Sequence, residues 1–306
     1  MNHQVIREIT HNAPWFLPLL SFVVGAMIGS FLNVCLYRLP KGESVVTPGS
    51  HCACGQPVAW YDNVPILSWL ILRGRARCCG RAFSFRYAFV ELLTGFLFFL
   101  AWCALPPEKA VSSMLLIAIL VCATFFDIDH MMIPDFLTIG GAATGVLVSF
   151  LLPAVHDIAS ATGVTGGVRS ATDALLGLLL GSAVGLWLAF VAEWALGKEA
   201  FGFGDIKLLG TIGAFLGWKG AVFALFGGAI AGCLWILGAT AWSCAFARTS
   251  GGLKVEAPTG ESAQLGLGVQ ISFGPMLAIG AITYLLFAHN WIDPQLNAFA
   301  REIAFG

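Results

Sequence analysis

The chain has 306 residues, 58% of them hydrophobic and only 11% charged, with a mean hydropathy of +0.83. A soluble domain carries charge on about a quarter of its residues, so this composition excludes one and makes the lipid bilayer the solvent. The net charge of −1 identifies no partner, and no nucleic-acid ligand is expected.

Apolar runs approaching the roughly 20 residues of a spanning helix recur along the whole chain. They predict an all-α polytopic membrane protein with about eight transmembrane helices, near 15–37, 85–104, 110–127, 136–153, 173–195, 205–217, 219–246 and 270–288. The first run is too long for a cleavable signal, and its tail Asn33-Val34-Cys35-Leu36-Tyr37-Arg38 lacks the small residues of a cleavage site. The sixth is short, as in a tilted or partly re-entrant segment. Residues 38–84 read as a small polar domain between the first two spans, dividing the chain into 1–37, 38–84 and 85–306. Residues 154–172 and 247–269 read as polar loops on opposite sides of the membrane.

Basic residues set the orientation. Arg38, Lys41, Arg73, Arg75, Arg77, Arg81 and Arg86 fall on one side, joined by Lys198, Lys207, Arg248 and Lys254. The other side receives only Arg7, Lys109, Arg169, Lys219 and Arg301. The positive-inside bias therefore puts the first long loop in the cytoplasm and both termini outside.

Four of the nine cysteines, Cys52, Cys54, Cys78 and Cys79, lie in that loop. In a reducing compartment clustered thiols suggest zinc rather than disulfides. A tetrahedral four-sulfur site would also staple a segment too small to hold itself together by its core. Cys35, Cys103, Cys122, Cys233 and Cys244 lie on apolar helices and read as small hydrophobes.

Two acidic positions stand at the edges of apolar helices, where charge is costly and marks function. Asp127 follows the run 115–126 and opens Asp127-Ile128-Asp129-His130-Met131-Met132-Ile133-Pro134-Asp135. Asp205 follows Gly202-Phe203-Gly204 and precedes the run 206–218. The topology brings both to the cytoplasmic face. Two close carboxylates share a proton, so one can activate water while the other polarises a scissile carbonyl. The helix dipole predicts that Asp127, at a helix C-terminus, holds this proton and that Asp205, at an N-terminus, is ionised. Spacing alone equally allows Asp205 as a helix N-cap and Asp127, Asp129 and Asp135 as solvated loop charges. A transporter's ion relay is a further reading, but the paired broken helices it calls for are not visible. His130 reads as a polar interfacial residue.

The residues carry a family pattern. Gly202-Phe203-Gly204-Asp205-Ile206-Lys207-Leu208-Leu209 resembles the second aspartate motif of type IV prepilin peptidases, which are Gly-x-Gly-Asp membrane aspartyl proteases. The segment from Asp127 to Asp135 resembles their first, in which the catalytic Asp stands seven residues before the Pro; Asp129 is its near neighbour. The likeness continues in Gly29-Ser30-Phe31-Leu32-Asn33-Val34 with Tyr37-Arg38-Leu39-Pro40, and in Tyr61-Asp62-Asn63-Val64-Pro65-Ile66-Leu67-Ser68-Trp69-Leu70. It extends to Arg86-Tyr87, Glu91-Leu92 and Phe273-Gly274-Pro275.

This resemblance implies a bacterial inner-membrane enzyme whose catalytic residues are Asp127 and Asp205. Its substrates would be prepilins or type II secretion pseudopilins, whose basic leader is cut off after a Gly on the cytoplasmic side of the membrane. It also implies N-methylation of the exposed residue with S-adenosylmethionine. Glu91 reads as a partner of the leader charge or new amine, or equally as a buried structural Glu at a helix start. Members with a metal site carry Cys-x-x-Cys twice, whereas this chain has Cys52-Ala53-Cys54 and Cys78-Cys79. Aligned on Cys54-Gly55 and Cys79-Gly80, His51 and Ala76 stand at the first-cysteine positions, so Cys52 and Cys78, or His51, complete the zinc set.

Overall fold

The computed structural model describes residues 3–52, 54–156, 158, 163–197, 201–249 and 272–305. Among these residues the regular structure is helical, without a strand. Helices α1 (His3–Asn12) and α2 (Phe16–Arg38) precede the polar segment, which contains α3 (Leu67–Leu72). There follow α4 (Arg86–Ala104), α5 (Pro107–His130), α6 (Asp135–Leu151), α7 (Val164–Leu196), α8 (Phe203–Thr249), α9 (Gly274–Thr283) and α10 (His289–Phe305).

Among the described residues, six stretches are long and apolar enough to cross a membrane: Phe16–Lys41, Arg86–Ala104, Pro107–His130, Val164–Ala195, Phe203–Trp242 and Gly274–Leu296. Helix α6 is apolar but shorter. Within α8, Gly217 adopts φ 71° and ψ 177°, a conformation that suits glycine, and the chain reverses there. Beyond it, Gly220 faces Tyr284, Ala224 faces Gly280 and Gly228 faces Met276. The second half of α8 thus runs antiparallel to α9, back toward the end of the bundle where α8 began. Each predicted span has a helical counterpart, two of them being the halves of α8.

The boundaries differ in places. Helix α7 reaches back to Val164, over part of the expected loop 154–172. No proline interrupts 164–172, and Gly167 lets the helix close on α6: a Cβ there would lie 2.6 Å from the Phe150 carbonyl oxygen. The last span continues through a π-helical turn (Tyr284–Ala288) into α10. Of the expected loop 247–269, residues 247–249 continue α8; the rest, with Lys254, lies outside the described residues, as does Lys198.

The first half of α8 forms the centre of the bundle. Ile206, Leu208, Leu209, Ile212, Ala214 and Phe215 are all buried. In lipid no hydrophobic force drives one helix onto another, so close backbone packing between small residues must do it. Gly177, Gly181 and Gly185, four residues apart on α7, provide that surface. A Cβ on Gly177 would overlap the Gly213 carbonyl, and one on Gly181 would lie 2.8 Å from the Leu209 carbonyl oxygen. From α6, the Thr138 carbonyl accepts a hydrogen bond from Thr211 Oγ1 at 2.7 Å. Helices α2 and α4 pair antiparallel, with Asn33 Nδ2 donating to the Tyr87 carbonyl at 3.0 Å.

Replacing Gly177 with leucine should overpack this seam and cost about 1–3 kcal/mol. Thermal unfolding of the detergent-purified protein would register this as a clear fall in Tm. Gly140→Ala, whose Cβ would meet no atom within 4 Å, should leave Tm essentially unchanged.

Candidate active site

Asp127 occupies the last turn of α5 and is buried, at 6% exposure. The helix ends just beyond it at Met131, in the left-handed conformation with φ 51°, whose N–H donates to the Asp127 carbonyl at 2.9 Å. Asp127 Oδ2 accepts hydrogen bonds from Ser272 Oγ and from the Gly274 N–H, the latter at 2.9 Å. Both donors come from the start of α9, where free N–H groups and the positive dipole end favour an anion. Glycine is required at 274, because a Cβ there would lie 2.6 Å from Asp127 Oδ2.

Asp205 stands in the first turn of α8, also buried, with its N–H bonded to the Gly202 carbonyl at 3.0 Å. Gly204 rests on the turn after α5, its Cβ position 3.4 Å from Ile133 Cβ. This contact sets the start of α8 against the end of α5, close enough for Asp127 and Asp205 to interact electrostatically. Asp205 Oδ1 is buried without a hydrogen-bond partner among the described residues. The donors therefore gather on Asp127, opposite to the bias expected from the helix dipoles.

The neighbouring acids take other roles. Asp129 is exposed and held by Arg86, whose Nη1 donates to Oδ1 at 2.8 Å, tying α4 to the end of α5. Asp135 pairs with Lys207 Nζ at 2.6 Å, tying α6 to α8. His130 is exposed, 6.0 Å from the Phe126 ring between centroids. Sequence reasoning missed Ser272, although a hydroxyl just before Phe273-Gly274-Pro275 was a usable sign of a helix-start anion site.

The four cysteines of the polar segment converge. Their sulfurs all lie within 4.8 Å of one another, the closest pairs being Cys52–Cys79 at 3.5 Å and Cys54–Cys78 at 3.4 Å. Each pair sits on a tight turn closed by a glycine with positive φ, Gly55 at 85° and Gly80 at 67°. The turns are closed by Cys52 N–H to the Gln56 carbonyl at 2.8 Å and Ala76 N–H to the Arg81 carbonyl at 2.9 Å. Sulfurs bound tetrahedrally at about 2.3 Å would stand about 3.8 Å apart, so the four thiols fit one such ion. His51 is not in this set; its Nδ1 lies 3.2 Å from the Gly49 carbonyl oxygen. The Cys52 thiol is lowered to about 6, first by the Cys54 backbone N–H and then by the neighbouring thiols, while Cys52 and the others push Cys78 up to about 12. Arg77 anchors the second turn through a forked ion pair with Asp62, with Nη2–Oδ1 at 2.8 Å and Nε–Oδ2 at 2.9 Å. That guanidinium holds the Asp62 carboxyl below its ordinary range.

The fold and the site define a multi-pass helical membrane protein with two buried, interacting carboxylates at one end of its bundle. Residues 23–105 match the Bacterial Peptidase A24 N-terminal domain, and residues 114–237 match the Type IV leader peptidase family. A prepilin leader peptidase/N-methyltransferase of Myxococcus xanthus is 37% identical over 244 residues, 75% of this chain and 68% of the relative. The protein of that name from Aeromonas salmonicida is 34% identical over 76% of this chain and 85% of its own length. The one from Pectobacterium carotovorum is 33% identical over 90% and 95%. No solved structure matches the chain. The chain belongs to the type IV leader peptidase family and is a membrane peptidase.

Gly274→Ala tests the contact between α9 and Asp127. Displacing the carboxylate by a fraction of an ångström or more should lower peptidase turnover about 10²-fold, with little change in Tm. Steady-state cleavage of a leader-bearing substrate would measure it.

Proposed function

We propose that this chain cleaves the basic leader from type IV prepilins or type II secretion pseudopilins, using Asp127 and Asp205 at the cytoplasmic face of the inner membrane. The observation that carries this reading is the buried pair itself. Two carboxylates withdrawn from water and near each other cannot both ionise easily, so they hold one proton between them. Asp127, with two donors on Oδ2, is the charged partner and takes a proton from water on its other oxygen. Asp205, whose Oδ1 has no hydrogen-bond partner among the described residues, carries the shared proton and gives it to the scissile carbonyl oxygen. Hydroxide adds to the carbonyl carbon, and the tetrahedral intermediate collapses as the leaving amine takes up a proton. This division reverses the one expected from the helix dipoles. Hydrogen bonds from the start of α9 act on Asp127 at contact distance and outweigh the diffuse field of its own helix end.

The inward orientation is supported by Arg73, Arg75, Arg77 and Arg81, which crowd the segment between α2 and α4. In this reading residues 1–37 form an anchor, 38–84 a cytoplasmic domain and 85–306 the peptidase core. The names of the relatives support a second reaction, methylation of the new amino terminus with S-adenosylmethionine. Cys52, Cys54, Cys78 and Cys79 would hold zinc, whose bonds to four thiolates supply folding energy to a segment with little core of its own.

Asp127→Asn and Asp205→Asn should each reduce leader removal about 10²- to 10⁴-fold while the protein still purifies folded. Mass spectrometry of a prepilin before and after incubation reads this directly, and full cleavage by either variant would overturn the assignment. Elemental analysis of the purified protein should find zinc at about one ion per chain, from the four-thiolate stoichiometry. Cys52→Ser together with Cys79→Ser should remove it.

A further inference from the structure

We propose that residues 60–75 of the polar segment are an interfacial anchor, seated in the bilayer among anionic phospholipids rather than standing in water. The inference requires only that α2 and α4 span the membrane, and it holds for either orientation.

Helix α3 shows what the segment presents. None of its residues is buried, and Leu67, Leu70 and Ile71, spaced i, i+3 and i+4, share one face. Leu70 is 57% exposed and Ile71 71%. Trp69 packs instead on the Phe85 ring, 5.0 Å away between centroids, at the start of α4. In the turn before α3, Trp60 and Tyr61 add two exposed aromatic rings. In water such a surface is a liability. Between headgroups and acyl chains, apolar side chains with Trp and Tyr beside them are the composition of an interfacial helix.

Depth decides what covers it. Helix α4 has 19 residues, a length of about 28 Å, which leaves none to spare across a hydrocarbon layer of roughly 30 Å. Its first residue, Arg86, therefore stands at the membrane surface. The Ile66 N–H donates to Glu91 Oε2 at 2.7 Å, and Glu91 lies five residues, about 7.5 Å, farther in. On α2, Asn63 and Pro65 share a cavity of about 350 Å³ with Met27, Ser30 and Phe31. Those three stand at least seven residues, about 10 Å, from the helix end at Arg38. The turn before α3 is thus drawn below the ends of both helices. Its backbone registers the pull. Ile66, a β-branched residue, takes φ 64° and ψ −52°, a conformation that persists only where its surroundings enforce it. The Glu91 carboxylate, holding the Ile66 N–H, supplies that constraint. A water-soluble partner cannot cover a face at this depth; lipid can.

Charge selects the lipid. Arg73, Arg75, Arg77 and Arg81 follow α3 and are exposed. Arg77 is committed to Asp62, while no acid among the described residues pairs with the other three. Arg73 stands at the C-cap of α3, beside the apolar face. There a long side chain lays its stem on acyl chains and keeps its guanidinium among phosphates. Each such cation near the surface favours anionic lipid.

Photolabelling of the full-length protein, one copy per lipid nanodisc, tests this. The probes are phosphatidylcholine and phosphatidylglycerol carrying a diazirine high on one acyl chain, each added in trace to discs of the same mixed composition. Peptide mapping should find label within 60–72 at a yield within about threefold of that around Phe96, an exposed residue of α4. Label around Phe96 with none within 60–72 overturns the anchor. The phosphatidylglycerol probe should label 60–75 at least about threefold more than the phosphatidylcholine probe does. Combining Arg73→Gln, Arg75→Gln and Arg81→Gln should abolish that excess while phosphatidylcholine labelling persists. Equal labelling of the unaltered protein by both probes overturns the choice of anionic lipid.

Discussion

The fold depends on a backbone-to-backbone approach inside the membrane. Residues 203–216 form a rod of about 21 Å, too short to cross the roughly 30 Å hydrocarbon layer unaided. It is stable because it is enclosed by protein rather than lipid. Gly177 and Gly181 bring α7 onto Gly213 and Leu209, α6 receives the Thr211 hydroxyl, and the chain turns back at Gly217 to pack against α9. With no hydrophobic force between helices in lipid, this close contact fixes where the N-terminus of the rod lies. The position of Asp205 follows from it. A larger residue at the glycine seam would act on the site through geometry, far from any carboxylate.

One end of the bundle carries the two buried aspartates and the ion pairs beside them. Asp127 and Asp205 lie there, and the ion pairs Arg86–Asp129 and Lys207–Asp135 cross between helices beside them. Lys207 stands two residues from Asp205, and Arg86 pairs with the acid two residues from Asp127. These pairs are partly exposed, so each contributes little to stability. Their value is positional: they couple α4 to α5 and α6 to α8 where small displacements matter.

Much of this was legible in the sequence because the bilayer imposes simple patterns. Charge-free runs marked every span, and aspartates at the edges of runs stood out because charge there is costly. Asp127 is buried and Asp129 exposed, a difference that their spacing in the sequence does not report. What stayed hidden needed contacts across long stretches of chain. Ser272 and Gly274 reach Asp127 from about 145 residues away, and no local periodicity reports that they set its hydrogen bonds. The helical stretch of α7 before residue 173 was hidden for a related reason. A run rich in Gly, Ser and Thr has weak intrinsic helix propensity, and packing of Gly167 on Phe150 overrides it.

The cysteine turns show how spacing and geometry can part company. A Cys-Cys pair looks unsuited to one tetrahedral ion, since adjacent side chains in extended backbone point apart. The chain avoids extended backbone at both places. Gly55 and Gly80 take positive φ, closing turns that bring both sulfurs of each pair to one side, and Arg77 locks the second turn onto Asp62. The sulfurs pair across the turns, Cys52 with Cys79 and Cys54 with Cys78, rather than within them. An interleaved arrangement of this kind makes the two turns mutually dependent. Either turn alone offers two thiols; only their apposition offers four. The glycines that follow the cysteines thus do more for the cluster than the number of residues between them.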